Sequence, residues 1–272
     1  MFKSLILILL SVSVYSSTNS PSGAKGFYKI DKGLSGFELK SKLKSILKRG
    51  HRDRGYNALI KVYIKSDADL TYDGDGSIVD MYSERPNYSD SYNYDSTHES
   101  CGSYRRESDC FNREHIFPQS IFHKRSPMRS DFFHVYPSDG YVNGKRSNHP
   151  FGEVDRPRWT SSNGSKVGKN TFGGYRGTVF EPIDEFKGDI ARSLFYFATR
   201  YEDQIYKWHH EMLNGTRDQV YKKWFVRLLL KWHRMDPVSE HEIRRNNAGH
   251  EYQGNRNPFI DHPEWVEAIW GN

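Results

Sequence analysis

Cysteine is scarce. The 272-residue chain has two, Cys101 and Cys110, nine positions apart. No second pair exists to complete a zinc ribbon. The readings that remain are a disulfide closing a small loop, as an exported chain would form, two free thiols, or half a metal site. Long apolar runs are equally scarce. The one candidate, Leu5–Val14 in "MFKSLILILLSVSVYSS", follows Lys3 and precedes small polar residues. It is too short for a typical membrane span and reads as a secretory signal peptide over residues 1–16; the alternative is an uncleaved N-terminal anchor. No other run approaches membrane length, so no membrane contact is expected after signal cleavage. Also missing are H-E-x-x-H, G-x-S-x-G and a P-loop. Their absence disfavours a zinc protease, and a serine hydrolase or an NTPase of the familiar kinds.

The chain does carry positive charge and aromatic rings. The formal net charge is +6 and aromatics make up 15% of residues. A basic exported protein suits nucleic acid, anionic lipid or acidic polysaccharide, and charge alone does not choose among them.

Residues 17–34, rich in Ser, Gly and Lys, read as a flexible N-terminus. The stretch "SGFELKSKLKSILKRG" has helical spacing, with Ser35 and Glu38 as a capping box and Gly50 as the stop. "ALIKVYI" and "SIVDMYS" read as strands flanking a turn at "DGDG", Asp73–Gly76. That turn fails the calcium-loop template, because the sixth position from Asp73 is Ile78 rather than glycine. Residues 84–109 and 155–177 read as long surface loops. Beyond them, "DIARSLFYFATRYEDQIYKW" and "QVYKKWFVRLLLKWHRM" carry aromatic stripes at helical spacing, core rather than base-stacking platforms. Another helix is expected from Ser239, with Glu242 completing a capping box. The pattern predicts a single mixed α+β domain over residues 35–272, strands first and a mainly helical C-terminal part.

The chemistry concentrates in two segments. "CFNREHIFPQS" sets Arg113, Glu114 and His115 side by side, and "SDFFHVYPSDGYVNGKRSN" follows with His134, Asn143 and Asn148. A helix starting at Ser138 would carry Asn143 in its first two turns. Strand, loop, strand, helix suits phosphodiester hydrolysis with one metal. Neutral imidazole is the natural base at pH 7, so His115 is the candidate base, and activity is expected to fall below about pH 6. Glu114 supplies a carboxylate and Asn143 a neutral amide oxygen for a hard divalent cation. Neighbours on a regular strand face opposite ways, so Glu114 and His115 need a bend or a strand end, for which Pro118 argues. Arg113, Lys145, Arg146 and Arg192 are the candidate cations beside the phosphate. Arg113 and Arg192 stand first, Arg192 as a bidentate grip on phosphate or an ordinary salt bridge.

These two segments, with "GDIARSLFYFATRYED" and "QGNRNPFIDHPEW", resemble the endonuclease I family of periplasmic and secreted bacterial nucleases. The similarity runs from about Ala58 to near the C-terminus. It implies a ββα-metal (His-Me finger) core and sequence-nonspecific cleavage of DNA, often of RNA too, to 5′-phosphate ends. His115 matches the general base, and Glu114 and Asn143 match the metal ligands. Asn148 would tie the helix to the strands, and His134 would stand behind the site or serve the structure. One divalent metal is implied, Mg²⁺ foremost, with Ca²⁺ or Mn²⁺ as alternatives. The nucleic acid would be held through its phosphates by a monomer. Family members are often richer in disulfides than this chain. The competing reading is a secreted, non-catalytic binder of acidic polymer, extracellular DNA or polysaccharide; a carboxylate-pair glycosidase is more remote.

Overall fold

A computed structural model describes residues 24–271 except 96, 97 and 99; the signal-peptide expectation lies outside them. The chain opens with α1 (Gly36–Gly50) and α2 (Leu59–Ser66), then forms an antiparallel pair, β1 (Phe111–His115) and β2 (Val135–Asp139), and α3 (Gly140–Arg146). A three-stranded antiparallel sheet follows, β3 (Pro157–Thr160), β4 (Lys166–Lys169) and β5 (Thr178–Glu181), in the order β3-β4-β5. The rest is helical: α4 (Lys187–Arg200), α5 (Glu202–Ile205), α6 (Lys223–Met235), α7 (Glu240–Gln253), α8 (Pro258–Asp261) and α9 (Glu264–Trp270). This is a mixed α+β architecture.

The hub is α4. Its sequence shows one apolar stripe, yet all fourteen of its residues are buried. It packs against α1 and α6, which explains burial all round. The polar side of the helix is met by partners of opposite charge. Arg192 Nε and Nη2 each reach Glu242 at 2.6 Å, and Nη1 donates to the carbonyl of Asp236 at 2.8 Å. The same Glu242 closes the capping box of α7, accepting from Ser239 N at 3.0 Å, as the sequence predicts. Asp131, fully buried beneath β2, accepts from Tyr196, Tyr201 and Gln253 at 2.7 to 3.2 Å.

Several sequence expectations are corrected. "ALIKVYI" is helical, not a strand: Leu59, Tyr63 and Ser66 are its buried positions, a helical spacing that packs on β2 and α7. "SIVDMYS" forms no named strand; Ile78 makes a single bridge to Ala68 before the chain turns at Asp80. Residues 155–177 hold β3 and β4 rather than loop alone. Ser35 makes no capping bond to α1. Ser138 lies in β2, and α3 is capped instead by Asp139, whose carboxylate accepts from Val142 N at 2.8 Å. From residue 24 the presumed flexible N-terminus is docked, with Ala24 buried and Tyr28 donating to Asp261 at 2.7 Å.

Candidate active site

Strand β1 delivers its functional side chains at its C-terminal end. It pairs with β2 in the register Glu114↔Tyr136 and His115↔Val135, and stops at His115. That strand end lets Glu114 and His115 line the same cleft, with Pro118 on its wall. The cleft is open, about 500 Å³, and Asn143 from α3 faces it. The cysteines are bonded to each other. Their loop presents Tyr104 to α3, where a Cβ on Gly140 or Gly144 would sit only 2.6 or 2.9 Å from the Tyr104 ring. Glycine at both positions permits that approach, and Tyr104 lines the cleft beside Asn143.

His115 is 3% exposed, which burial alone would leave neutral. Its Nε2 lies 3.0 Å from the carbonyl of Arg129. A carbonyl only accepts, so Nε2 carries the proton and Nδ1 is left as the basic nitrogen. Burial, the neighbouring His134 and the Arg129 and Arg146 charges hold its pKa well below the usual imidazole range; the Arg129 carbonyl opposes them. One face of the ring stacks on Tyr56, 5.7 Å between centroids at 26°.

Glu114 is 2% exposed. Its Oε1 accepts from the Tyr82 hydroxyl at 2.8 Å and lies 3.2 Å from Arg146 Nε. Burial pushes its pKa up, against the pull of Arg146 and Tyr82. Asn143 Nδ2 donates to the carbonyl of Arg113 at 3.4 Å, which orients the amide and leaves Oδ1 as an acceptor. A carboxylate oxygen and an amide oxygen at one cleft are a donor set fitted to a hard divalent cation. The second Glu114 oxygen and Asn143 Oδ1 would hold it.

The cations separate into two groups. Arg113 and Arg146 line the cleft; Arg192 does not, being consumed by Glu242 and Asp189 in the core. This corrects its candidacy for gripping phosphate. Arg146 is structural in its contacts, donating to the carbonyls of His115 at 3.2 Å and Ile116 at 2.7 Å. It ties α3 to the end of β1, the role expected of Asn148. Asn148 stands at the cleft and its carbonyl accepts from His210 at 3.0 Å. Lys145 stands over the Tyr141 ring. His134 is buried behind the site, with Nε2 2.6 Å from the carbonyl of Met128 and its pKa down at about 4 through burial.

Besides Tyr104, four cleft-related residues escaped sequence reasoning. Tyr56 is flanked by the Arg113 and Arg129 guanidiniums, 3.7 and 4.4 Å from its ring centroid. Its carbonyl also accepts from Arg113 at 3.1 Å. Lys124 and Gln119 line the wall beyond Pro118. Tyr82 reaches Glu114 from a segment remote in sequence. No spacing in the sequence marks any of them.

The chain as a whole is similar to known proteins. The family model described as Endonuclease I matches residues 35–264. An extracellular ribonuclease of Bacillus amyloliquefaciens is 34% identical over 263 residues, 94% of this chain and 82% of the relative. One from Bacillus subtilis is 38% identical over 167 residues, 59% of this chain and 54% of the relative. An Endonuclease-1 of Buchnera aphidicola is 27% identical over 133 residues, 49% of this chain and 46% of the relative.

Proposed function

Since the chain belongs to the endonuclease I family, we propose that it is an exported, metal-dependent endonuclease that cuts nucleic acid without sequence preference. The observation that carries this reading is the meeting of His115, Glu114 and Asn143 at one open cleft. The β1–β2–α3 unit then acts as the ββα-metal core. The end of β1 brings the base and one oxygen ligand, and α3 brings the second ligand across the cleft.

In this mechanism His115 Nδ1 takes the proton from a water that attacks phosphorus. The Nε2–H bond to Arg129 holds the tautomer, and Tyr56 holds the ring plane. Glu114 and Asn143 would hold the divalent cation, Mg²⁺ foremost, which when bound would supply positive charge opposite the charge building on the phosphate. Arg113 and Lys124, both on the cleft wall and in no ion pair with another described residue, contact the nucleic-acid phosphates. The 3′ oxygen departs and the 5′ side keeps the phosphate. The open, polar cleft offers no pocket for reading a base, in keeping with recognition through the backbone.

RNA is as strong a substrate reading as DNA, because two of the relatives are named extracellular ribonucleases. The test is incubation of the mature protein with supercoiled plasmid and with single-stranded RNA, in magnesium and in EDTA. Cleavage of either that EDTA stops, leaving ends that accept ligation only as 5′-phosphates, is the expected result. Cleavage that persists in EDTA, or retardation of intact polymer on a gel, would remove the metal or the catalysis from the account.

A further inference from the structure

A second hollow shares a wall with the cleft. It follows α5 and holds about 530 Å³, within the size range of small-ligand pockets. The two meet at a hydrogen bond: His210 Nε2, from the hollow, lies 3.0 Å from the carbonyl of Asn148, which lines the cleft. His210 Nδ1 accepts from Met212 N at 3.4 Å, so the ring is neutral and held at both nitrogens. Trp208 lies past the end of α5 and is half-buried, with part of its ring left for the hollow that it lines. Its ring centroid stands 5.9 Å from that of Phe122, which stands 6.1 Å from that of His115. Trp208 is thus two ring contacts from the base, within reach of the nucleotides next to a bound scissile phosphate.

The lining suits a base rather than a phosphate. Asn214 Oδ1 is taken by Thr216, from N at 2.8 Å and Oγ1 at 2.9 Å, which leaves Nδ2 as a donor. His209 is exposed and makes no hydrogen bond or ion pair with another described residue. The acid of the hollow, Glu211, is met by Lys222 at 3.6 Å, so neither sign of charge dominates there. The loop that carries Asn214 is fixed in advance. Asn214 N donates to the carbonyl of Val220 at 2.9 Å, Leu213 bridges Tyr221, and the Tyr221 hydroxyl donates to the carbonyl of Leu194 at 2.8 Å. Val220, buried, is held at a φ of 66°, which a β-branched residue adopts only where its surroundings impose it.

We propose that this hollow is a base-binding subsite of the cleft, which takes one unstacked base of the substrate strand on Trp208 and meets its edge with Asn214 Nδ2 and His209. Every base has a π-face, so stacking there favours single strands over duplex without reading sequence. The inference rests on the nuclease reading, which lays the strand in the cleft, and it deepens that reading by naming unpaired nucleic acid as the preferred substrate.

The test is binding in EDTA, read by fluorescence polarisation of a short fluorescein-labelled single-stranded oligonucleotide and of the same sequence as a blunt duplex. Trp208→Leu should weaken single-strand binding about 5–100-fold and duplex binding less than about twofold. His209→Ala and Asn214→Ala should each weaken single-strand binding about 3–10-fold. Both stand at exposed positions and carry the test if Trp208→Leu does not fold. Unchanged single-strand affinity in the folded variants overturns the proposal. So do equal losses on single strand and duplex, which would make the hollow a backbone contact. Cleavage by the wild type is scored separately in magnesium, so the two readings fail separately. Binding that depends on the hollow, by a protein that never cuts, would keep the base site and end the nuclease reading; cutting by a protein whose affinity ignores the hollow would do the reverse.

Discussion

At the residue scale the site depends on which atom of each side chain is left free. The Arg129 carbonyl takes one nitrogen of His115, and Tyr82 with Arg146 takes one oxygen of Glu114. Sequence could name His115, Glu114 and Asn143, because their order along the chain carries the chemistry. It could not name Tyr82 or Tyr56, whose sequence neighbours give no sign of what they touch. Tyr82→Phe removes one hydrogen bond to Glu114 and should raise the magnesium needed for half-maximal cleavage about 10–100-fold, with little change in the melting temperature. A metal titration of cleavage rate checks it. The pH dependence is also sharpened. A base whose pKa is depressed keeps its neutral form to lower pH, so activity is lost only as pH falls through that depressed value. Cleavage measured from pH 4 to pH 8 should therefore still be near its plateau at about pH 6, where an ordinary imidazole is mostly protonated. A midpoint at or above 6.5 would contradict the buried placement of His115.

At the scale of elements, the helices of the C-terminal part were legible because amphipathic spacing and a capping box are local signals. The error over "ALIKVYI" has an equally local cause. A short apolar run with β-branched residues fits both periods, and only the packing of Leu59, Tyr63 and Ser66 on neighbouring elements decides. Likewise the small β3-β4-β5 sheet lies in a polar segment whose strands are four residues each, too short to show alternation. Helix α3 is seven residues long and so depends on its N-terminus. Asp139 serves that end three ways: it accepts from Val142, from the Tyr94 hydroxyl at 2.6 Å and from Ser108 N at 2.8 Å. Asp139→Ala should cost about 1–2 kcal/mol or more in urea unfolding. It should also lower cleavage through loss of the Asn143 position, an effect that higher magnesium partly restores. An unchanged metal requirement would mean that α3 is held by its other contacts.

At the scale of the molecule, the cleft is a surface feature laid on a charged core. Arg192 looked like a phosphate ligand because the sequence shows an arginine on an otherwise apolar helix. It cannot show that Glu242 waits fifty residues later to receive it. Burial raises the cost of either charge alone, so Arg192→Ala should destabilise by roughly 3–5 kcal/mol. Cleavage per folded molecule should stay near the wild-type value; a large loss of activity in a fully folded variant would return Arg192 to the site. The central claim is narrower, that His115 is the base of a metal-dependent phosphodiesterase. Plasmid cleavage in saturating magnesium by His115→Ala tests it most directly, with circular dichroism and melting temperature alongside. A rate at least about 10²–10⁴-fold lower, from a protein with wild-type secondary structure, is the predicted result. Wild-type cleavage by that folded variant would contradict it.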